Sequence, residues 1–130
     1  MEQFGREALH FAVEFEHLDL LHVHYALPHA TSAYLARQIM AERGLHVPIV
    51  TTLHGTDITL VGIDPSYKHV VEFSIDKSDG VTAVSEYLKR ETYENFDIKQ
   101  EIKVIPNFID LERFKATEQT GLKKELAPNG

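Results

Sequence analysis

The 130-residue chain contains no cysteine, which excludes a disulfide framework and any thiolate chemistry. No stretch approaches the roughly 18 apolar residues of a membrane-spanning helix, and the first residues lack the basic-then-apolar pattern of a secretory signal. Basic residues are outnumbered by acidic ones: the chain has 13 Lys and Arg and 20 Asp and Glu, which gives a net charge of −7. Since nucleic-acid binding requires clustered basic residues, no nucleic-acid partner is expected. These absences predict a soluble, cytoplasmic protein.

The residues that are present have the composition of an ordinary globular domain, with 43% apolar and 25% charged residues. A chain of this length corresponds to a single domain with one core. Hydrophobic periodicity and capping signals predict helices at 3–16, 29–43, 65–77 and 85–95, and strands at 18–25, 48–53, 80–84 and 101–105. This alternation is typical of an α/β fold, a Rossmann-like parallel sheet with crossover helices. The residues beyond 115 are expected to be weakly ordered.

Residues 48–57, Pro-Ile-Val-Thr-Thr-Leu-His-Gly-Thr-Asp, carry the strongest functional pattern. A short apolar and β-branched run stops at His54, and Gly55 allows the backbone to turn tightly or to approach a ligand. Three other apolar runs also end at polar or aromatic residues, namely Tyr25, Ser85 and Asn107. Ligands of open α/β sheets bind outside the carboxyl ends of the strands, so this edge is predicted to carry the site.

Hydroxyl and imidazole groups at the end of the second strand suit recognition of sugar hydroxyls, carboxylates or phosphates. The cluster consists of Thr51, Thr52, His54, Gly55, Thr56 and Asp57. Because His54 ends an otherwise apolar run, a functional role is favoured for it. Asp57 has two equal interpretations, ligand contact or the capping of the following turn. Ser85 likewise either caps a helix or receives an anion at the helix N-terminus.

His22 and His24 raise the alternative of a metal-dependent hydrolase, since residues two apart on a strand share one face. His29 and His54 add further imidazoles nearby in the sequence. However, the later strand ends carry serine and asparagine instead of the additional histidine or aspartate ligands that such enzymes need. A metal site is therefore not expected, and His22 is interpreted as a hydrogen-bonded residue of the sheet.

Four segments resemble, in order and spacing, the N-terminal acceptor-binding domain of the retaining, two-domain (GT-B) glycosyltransferases. They are Asp-Leu-Leu-His-Val-His-Tyr-Ala at 19–26, Thr-Thr-Leu-His-Gly-Thr-Asp at 51–57, Val-Thr-Ala-Val-Ser at 81–85 and Val-Ile-Pro-Asn-Phe-Ile-Asp at 104–110. The resemblance extends over about residues 10 to 126. Within the family, the first two segments are most similar to the subgroup that transfers N-acetylglucosamine from UDP-N-acetylglucosamine to L-malate, the first step of bacillithiol biosynthesis.

This resemblance implies a role for each strand-end residue. Tyr25 and Thr52 would contact malate, and His54 would be the catalytic residue beside the donor sugar and its phosphate. The possible contacts to the donor or another anion are Gly55, Asp57, Ser85 and Asn107. The implied mechanism is a front-face substitution in which the leaving UDP oxygen helps to deprotonate the acceptor, with the UDP-sugar as substrate and without a cofactor or metal. His54 would then orient and stabilise groups rather than act as a base.

The family also begins with a strand and a Gly-rich loop that approach the donor phosphates, and neither is found in this chain. Residues 1–115 are therefore predicted to be a partial N-terminal domain, and residues 116–130 the interdomain connection or a tail. The UDP-binding second domain is not found either, so the chain alone is expected to be inactive. Its expected partners are the two substrates in the full enzyme, and a second copy or a complementing fragment. The alternative is a non-catalytic binding or assembly module that kept the fold.

Overall fold

The computed structural model describes residues 17–61 and 64–115, so the predicted helix at 3–16 and the tail at 116–130 lie outside the described residues. Strands and helices alternate in the described part. The order is β1 (Leu21–His24), α1 (Thr31–Ala41), β2 (Ile49–Leu53), α2 (Pro65–Asp76), β3 (Gly80–Ala83), α3 (Glu86–Asn95) and β4 (Ile102–Val104). The predicted alternation is confirmed, and the bounds differ by a few residues at the element ends. Within these ranges no helix has the length and apolarity needed to cross a membrane.

The sheet is fully parallel, and its spatial order β1-β2-β3-β4 is the order along the chain. Each crossover therefore steps in the same direction. Because βαβ crossovers are right-handed, all three helices lie on one face of the sheet. The strand residues buried on that face are Leu21, Val23, Ile49, Thr51, Leu53, Val81, Ala83 and Ile102. The α/β prediction is confirmed, with the helices on a single side.

The core lies between that face and the helices, in two adjoining clusters. One packs Met40 and small residues of α1 against Ile49 and the start of β1. The other packs Ile75 of α2 against Leu53 and the central and last strands. Each fully buried aliphatic side chain of this kind contributes roughly 1.5–3 kcal/mol. This packing fixes where the strands end, and hence where the strand-end side chains lie.

The opposite face of the sheet is largely polar. It carries His22, His24, Val50, Thr52, Gly80, Thr82 and Lys103. None of the three helices of the described residues covers it. We call it the open face.

The connections after β1 and β2 differ from the prediction. The sequence predicts that the helix after β1 begins at residue 29, but α1 begins at Thr31, and Ala26–Ala30 forms one turn with π-type hydrogen bonding. Within that turn Leu27 is extended, with φ −128° and ψ 131°, because a residue before proline is disfavoured in the helical region. A second π-type turn, Asp57–Val61, follows β2. Both turns lie at the edge where the site was predicted.

Candidate functional site

The side chains that follow β1 and β2 form an aromatic cluster, which we define as His24, Tyr25, His29 and His54. The ring centroids of Tyr25 and His54 are 5.1 Å apart, and those of Tyr25 and His29 are 6.4 Å apart. Nδ1 of His24 lies 2.7 Å from Nε2 of His54. That hydrogen bond requires one of these nitrogens to carry the proton and the other to offer its lone pair. Two adjacent strand ends thus supply one site.

Thr52 lies beside this cluster, on the open face. Its hydroxyl is 2.8 Å from Nε2 of His22 and 2.7 Å from the hydroxyl of Thr82, so three neighbouring strands are linked in one row. The side chain is 9% exposed. Thr51 points the other way, since successive strand residues face opposite sides of a sheet, and its hydroxyl bonds Ser78 in the core at 2.7 Å. Thr51, grouped with the site residues from sequence, therefore does not belong to it.

The backbone of the site adopts two conformations with positive φ. Tyr25 has φ 73° and ψ 134°, a region that residues with a side chain rarely occupy. Its N–H donates to the carbonyl of Thr52 at 2.9 Å and extends the β1–β2 ladder by one bond. Gly55 has φ 130°, which explains glycine at this position although a Cβ would meet open space. The chain leaves both strands through strained or glycine-dependent turns.

Asp57 lies under these turns and is 1% exposed. One carboxylate oxygen accepts the N–H of Ala26 at 2.9 Å, and the other accepts the N–H of Gly55 at 3.0 Å. Burial of a carboxylate is tolerated when its oxygens are hydrogen-bonded. Of the two interpretations from sequence, these contacts favour the structural one.

Ser85 and Asn107 follow β3 and β4, so the topology puts them at the same edge of the sheet. The hydroxyl of Ser85 accepts the N–H of Leu88 at 3.1 Å and caps α3. Asn107 is exposed in the segment after β4. Contacts of either residue with a donor or anion remain predictions.

Three histidines at this edge form side-chain hydrogen bonds, either with another histidine or with a threonine hydroxyl. His22 bonds Thr52, and His24 bonds His54, through 2.8 and 2.7 Å contacts. Among the described residues, no three His, Cys, Asp or Glu side chains are grouped as a metal site would require.

Sequence reasoning missed two neighbours that shape the site. His24 was considered only as a metal ligand, yet it is the hydrogen-bond partner of His54. Thr82 was not considered, yet it completes the row through Thr52. The missing information was register: His24 pairs with Thr52, and Thr52 with Thr82, across the parallel ladder. The His-x-His spacing was the available signal, since it puts both imidazoles on the face that Thr52 shares.

Comparison with known proteins finds one matching family and two related sequences. The profile of glycosyltransferase family 4 matches residues 3–113 of the chain. The chain is 52% identical, over 110 residues, to the N-acetyl-alpha-D-glucosaminyl L-malate synthase of Bacillus anthracis, covering 85% of this chain and 28% of that protein. It is 30% identical, over 100 residues, to an uncharacterized glycosyltransferase of Methanocaldococcus jannaschii, covering 77% of this chain and 26% of that one. The chain thus spans just over a quarter of the length of these two relatives.

Proposed function

This chain belongs to glycosyltransferase family 4, and we propose that it forms the acceptor-binding side of an enzyme that transfers N-acetylglucosamine to L-malate. The donor would be UDP-N-acetylglucosamine, and the transfer would retain the anomeric configuration. The observation that carries the proposal is the contact of Tyr25 with His54 at two adjacent strand ends, in a chain 52% identical to the malate synthase.

L-Malate offers two carboxylates and one hydroxyl, so its site must supply hydrogen-bond donors at short range. The phenol of Tyr25 and the imidazole of His54 supply donors from two sides of the strand-end edge. Thr52 is joined to this pair by a hydrogen bond, since its backbone carbonyl accepts the N–H of Tyr25. In this arrangement Tyr25 and Thr52 hold the acceptor, and His54 orients it toward the donor sugar.

The donor side requires groups from outside these strand ends. Transfer develops negative charge on the departing diphosphate, and cations or preorganised N–H donors stabilise such charge. Segments 22–30 and 51–57 contain no lysine or arginine. We therefore assign the acceptor to these segments and most of the diphosphate to residues supplied by other parts of a larger protein. Holding donor and acceptor in one geometry supplies much of the rate in such chemistry.

The test compares the 130-residue chain alone with the same chain completed by the remaining parts of the Bacillus anthracis enzyme, fused or added as a second chain. We expect malate-dependent release of UDP from UDP-N-acetylglucosamine only in the completed enzyme. Omitting malate is the control for simple donor hydrolysis. Malate-dependent UDP release by the isolated chain would contradict the assignment of the donor to other segments. A completed enzyme that folds but ignores malate would favour a non-catalytic module.

A further inference from the structure

We propose that Asp57 is the positioning residue of the acceptor site. It holds Tyr25 and His54 in their relative positions by accepting a hydrogen bond from the peptide N–H that follows each of them. The functional part of this inference rests on the proposed function, whereas the geometric part does not. The starting observation is that one buried carboxylate reaches two different strand-end turns, through Ala26 and Gly55.

The first peptide that Asp57 holds joins Tyr25 to Ala26. Its N–H donates to Oδ2 of Asp57 at 2.9 Å, and its carbonyl accepts the N–H of Ala30 at 3.2 Å. On the other side, the N–H of Tyr25 is fixed by the carbonyl of Thr52 at 2.9 Å. Both flanking peptides of Tyr25 are thus held, as a strained φ of 73° requires. The direction of the phenol follows from that backbone.

The second peptide joins His54 to Gly55, and its N–H donates to Oδ1 of Asp57 at 3.0 Å. The carbonyl of Gly55, which belongs to the next peptide, accepts the N–H groups of Ile58 and Thr59 at 2.9 and 2.7 Å. The N–H end of the peptide after His54 is therefore held by Asp57, and the peptide after Gly55 is held by the turn that follows. Asp57 therefore holds the N–H that follows His54 with one oxygen and the N–H that follows Tyr25 with the other.

A carboxylate suits this role better than an amide. Both N–H groups point at the side chain, so both of its terminal atoms must be acceptors. Asparagine would turn its NH₂ group toward one of the two donors and lose that bond. In the described part of the chain both contacts of the carboxylate are backbone N–H groups, so its charge is balanced by oriented amides. The ring contact of Tyr25 with His54 should therefore depend on both hydrogen bonds that Asp57 accepts.

The geometric claim is tested in the unsubstituted, isotope-labelled full chain. We expect scalar couplings across the hydrogen bonds from the Asp57 carboxyl carbon to both amide nitrogens, those of Ala26 and Gly55. Absence of either coupling would overturn the proposal. This measurement needs no variant, so it remains decisive if a substitution prevents folding.

The functional claim is tested with Asp57→Asn, and Asp64→Asn is the matched control. Asp64 also accepts a backbone N–H two residues away, from Ser66 at 2.8 Å, but it caps α2 and is exposed. We expect Asp57→Asn to abolish the nuclear Overhauser contact between the Tyr25 and His54 rings and to weaken L-malate binding by about tenfold or more. Asp64→Asn should leave both unchanged.

The two failures are distinguishable. If the unsubstituted chain shows the couplings but does not bind L-malate, the proposed function is wrong and the geometric claim stands. If it binds L-malate and Asp57→Asn preserves both the ring contact and the affinity, Asp57 does not position the site and the inference is overturned.

Discussion

His54 and His46 flank the same strand at opposite ends, which makes them a matched pair of histidines. His54 follows β2 and contacts His24 and Tyr25, whereas His46 lies before β2 and is exposed. We predict that His54→Ala lowers the turnover of the completed enzyme by about 10²-fold or more, because a preorganised donor at the reacting groups is lost. His46→Ala should change turnover by no more than about twofold. Rates of malate-dependent UDP release check both values, and equal effects of the two substitutions would remove His54 from the site.

At the same scale, sequence identified residues more readily than their partners. His54, Tyr25 and Thr52 could be predicted to lie at one edge of the sheet, because each ends or lies beside the end of an apolar run. The bond between His24 and His54 could not, because it depends on which residues pair across two strands. Asp57 had two equal interpretations because a sequence does not state whether a carboxylate after a strand points into solvent or under a turn.

Among the elements, the start of α3 raises the question of whether Ser85 only caps the helix or also binds an anion. The hydroxyl of Ser85 accepts the N–H of Leu88. We predict that Ser85→Ala lowers the free energy of unfolding by about 1 kcal/mol, the usual cost of losing an N-cap acceptor. Ser85→Asp should restore most of that stability, since aspartate also caps and is favoured at a helix N-terminus. Urea denaturation of the three chains measures this.

The same pair of variants separates capping from anion binding. If Ser85 also contacts the donor, Ser85→Asp should impair donor use in the completed enzyme, because a carboxylate repels phosphate. An unaltered stability in Ser85→Ala would instead show that the cap contributes nothing measurable.

The link between α2 and the segment after α3 should depend on pH. The N–H of Asp97 donates to the carboxylate of Glu72 and lowers the pKa of Glu72 from its ordinary value of 4.5, with a smaller lowering by His69. The folded carboxyl therefore ionises at lower pH than the unfolded one. Its contribution to stability is fully present above about pH 4.5 and disappears as the pH falls through the folded value.

We predict that Glu72→Gln flattens the loss of unfolding free energy on acidification below about pH 4.5. Urea denaturation at several pH values checks the slope. Glu94→Gln is the control, because Glu94 is an exposed carboxylate of α3 that pairs with Arg90 at 3.8 Å. The same flattening in the control would assign the effect to charge loss in general and contradict a specific role of Glu72.

The regular elements were predictable because periodicity and caps are local signals, as with Asp64 before Pro65 at the start of α2. The two π-type turns were not, because they depend on contacts between strands that are distant in sequence. Asp57 lies 31 residues from the Ala26 amide that it accepts. Such long-range bonds reshape a strand-to-helix connection without leaving a local pattern.

For the whole molecule, the sequential strand order has a consequence for its surfaces. It places α1, α2 and α3 on one face, whereas fully parallel sheets are commonly covered on both. The open face carries mainly histidine, threonine and lysine side chains, so it does not require an apolar cover. A partner for this chain is therefore better sought where apolar groups are exposed.

Among the described residues, the segment after β4 exposes several large apolar side chains close together in the sequence. Phe108 is 90% exposed and Ile109 63% exposed, and Ile105, Leu111 and Phe114 are also exposed. Contiguous exposed apolar groups typically mark a contact surface. Since this segment continues the edge where the candidate site lies, we predict that, in the enzyme proposed above, it contacts the part that completes the activity.

The final prediction follows from this segment. The double substitution Phe108→Ser with Ile109→Ser should raise the concentration of the complementing chain needed for half-maximal activity by about tenfold or more, because exposed aromatic and aliphatic anchors dominate binding energy. The urea midpoint of the 130-residue chain should not fall, since both side chains are exposed before binding. Tyr67→Ser is the control, because Tyr67 is 47% exposed but lies on α2. Complementation that proceeds equally well with all three chains would show that the complementing chain docks elsewhere.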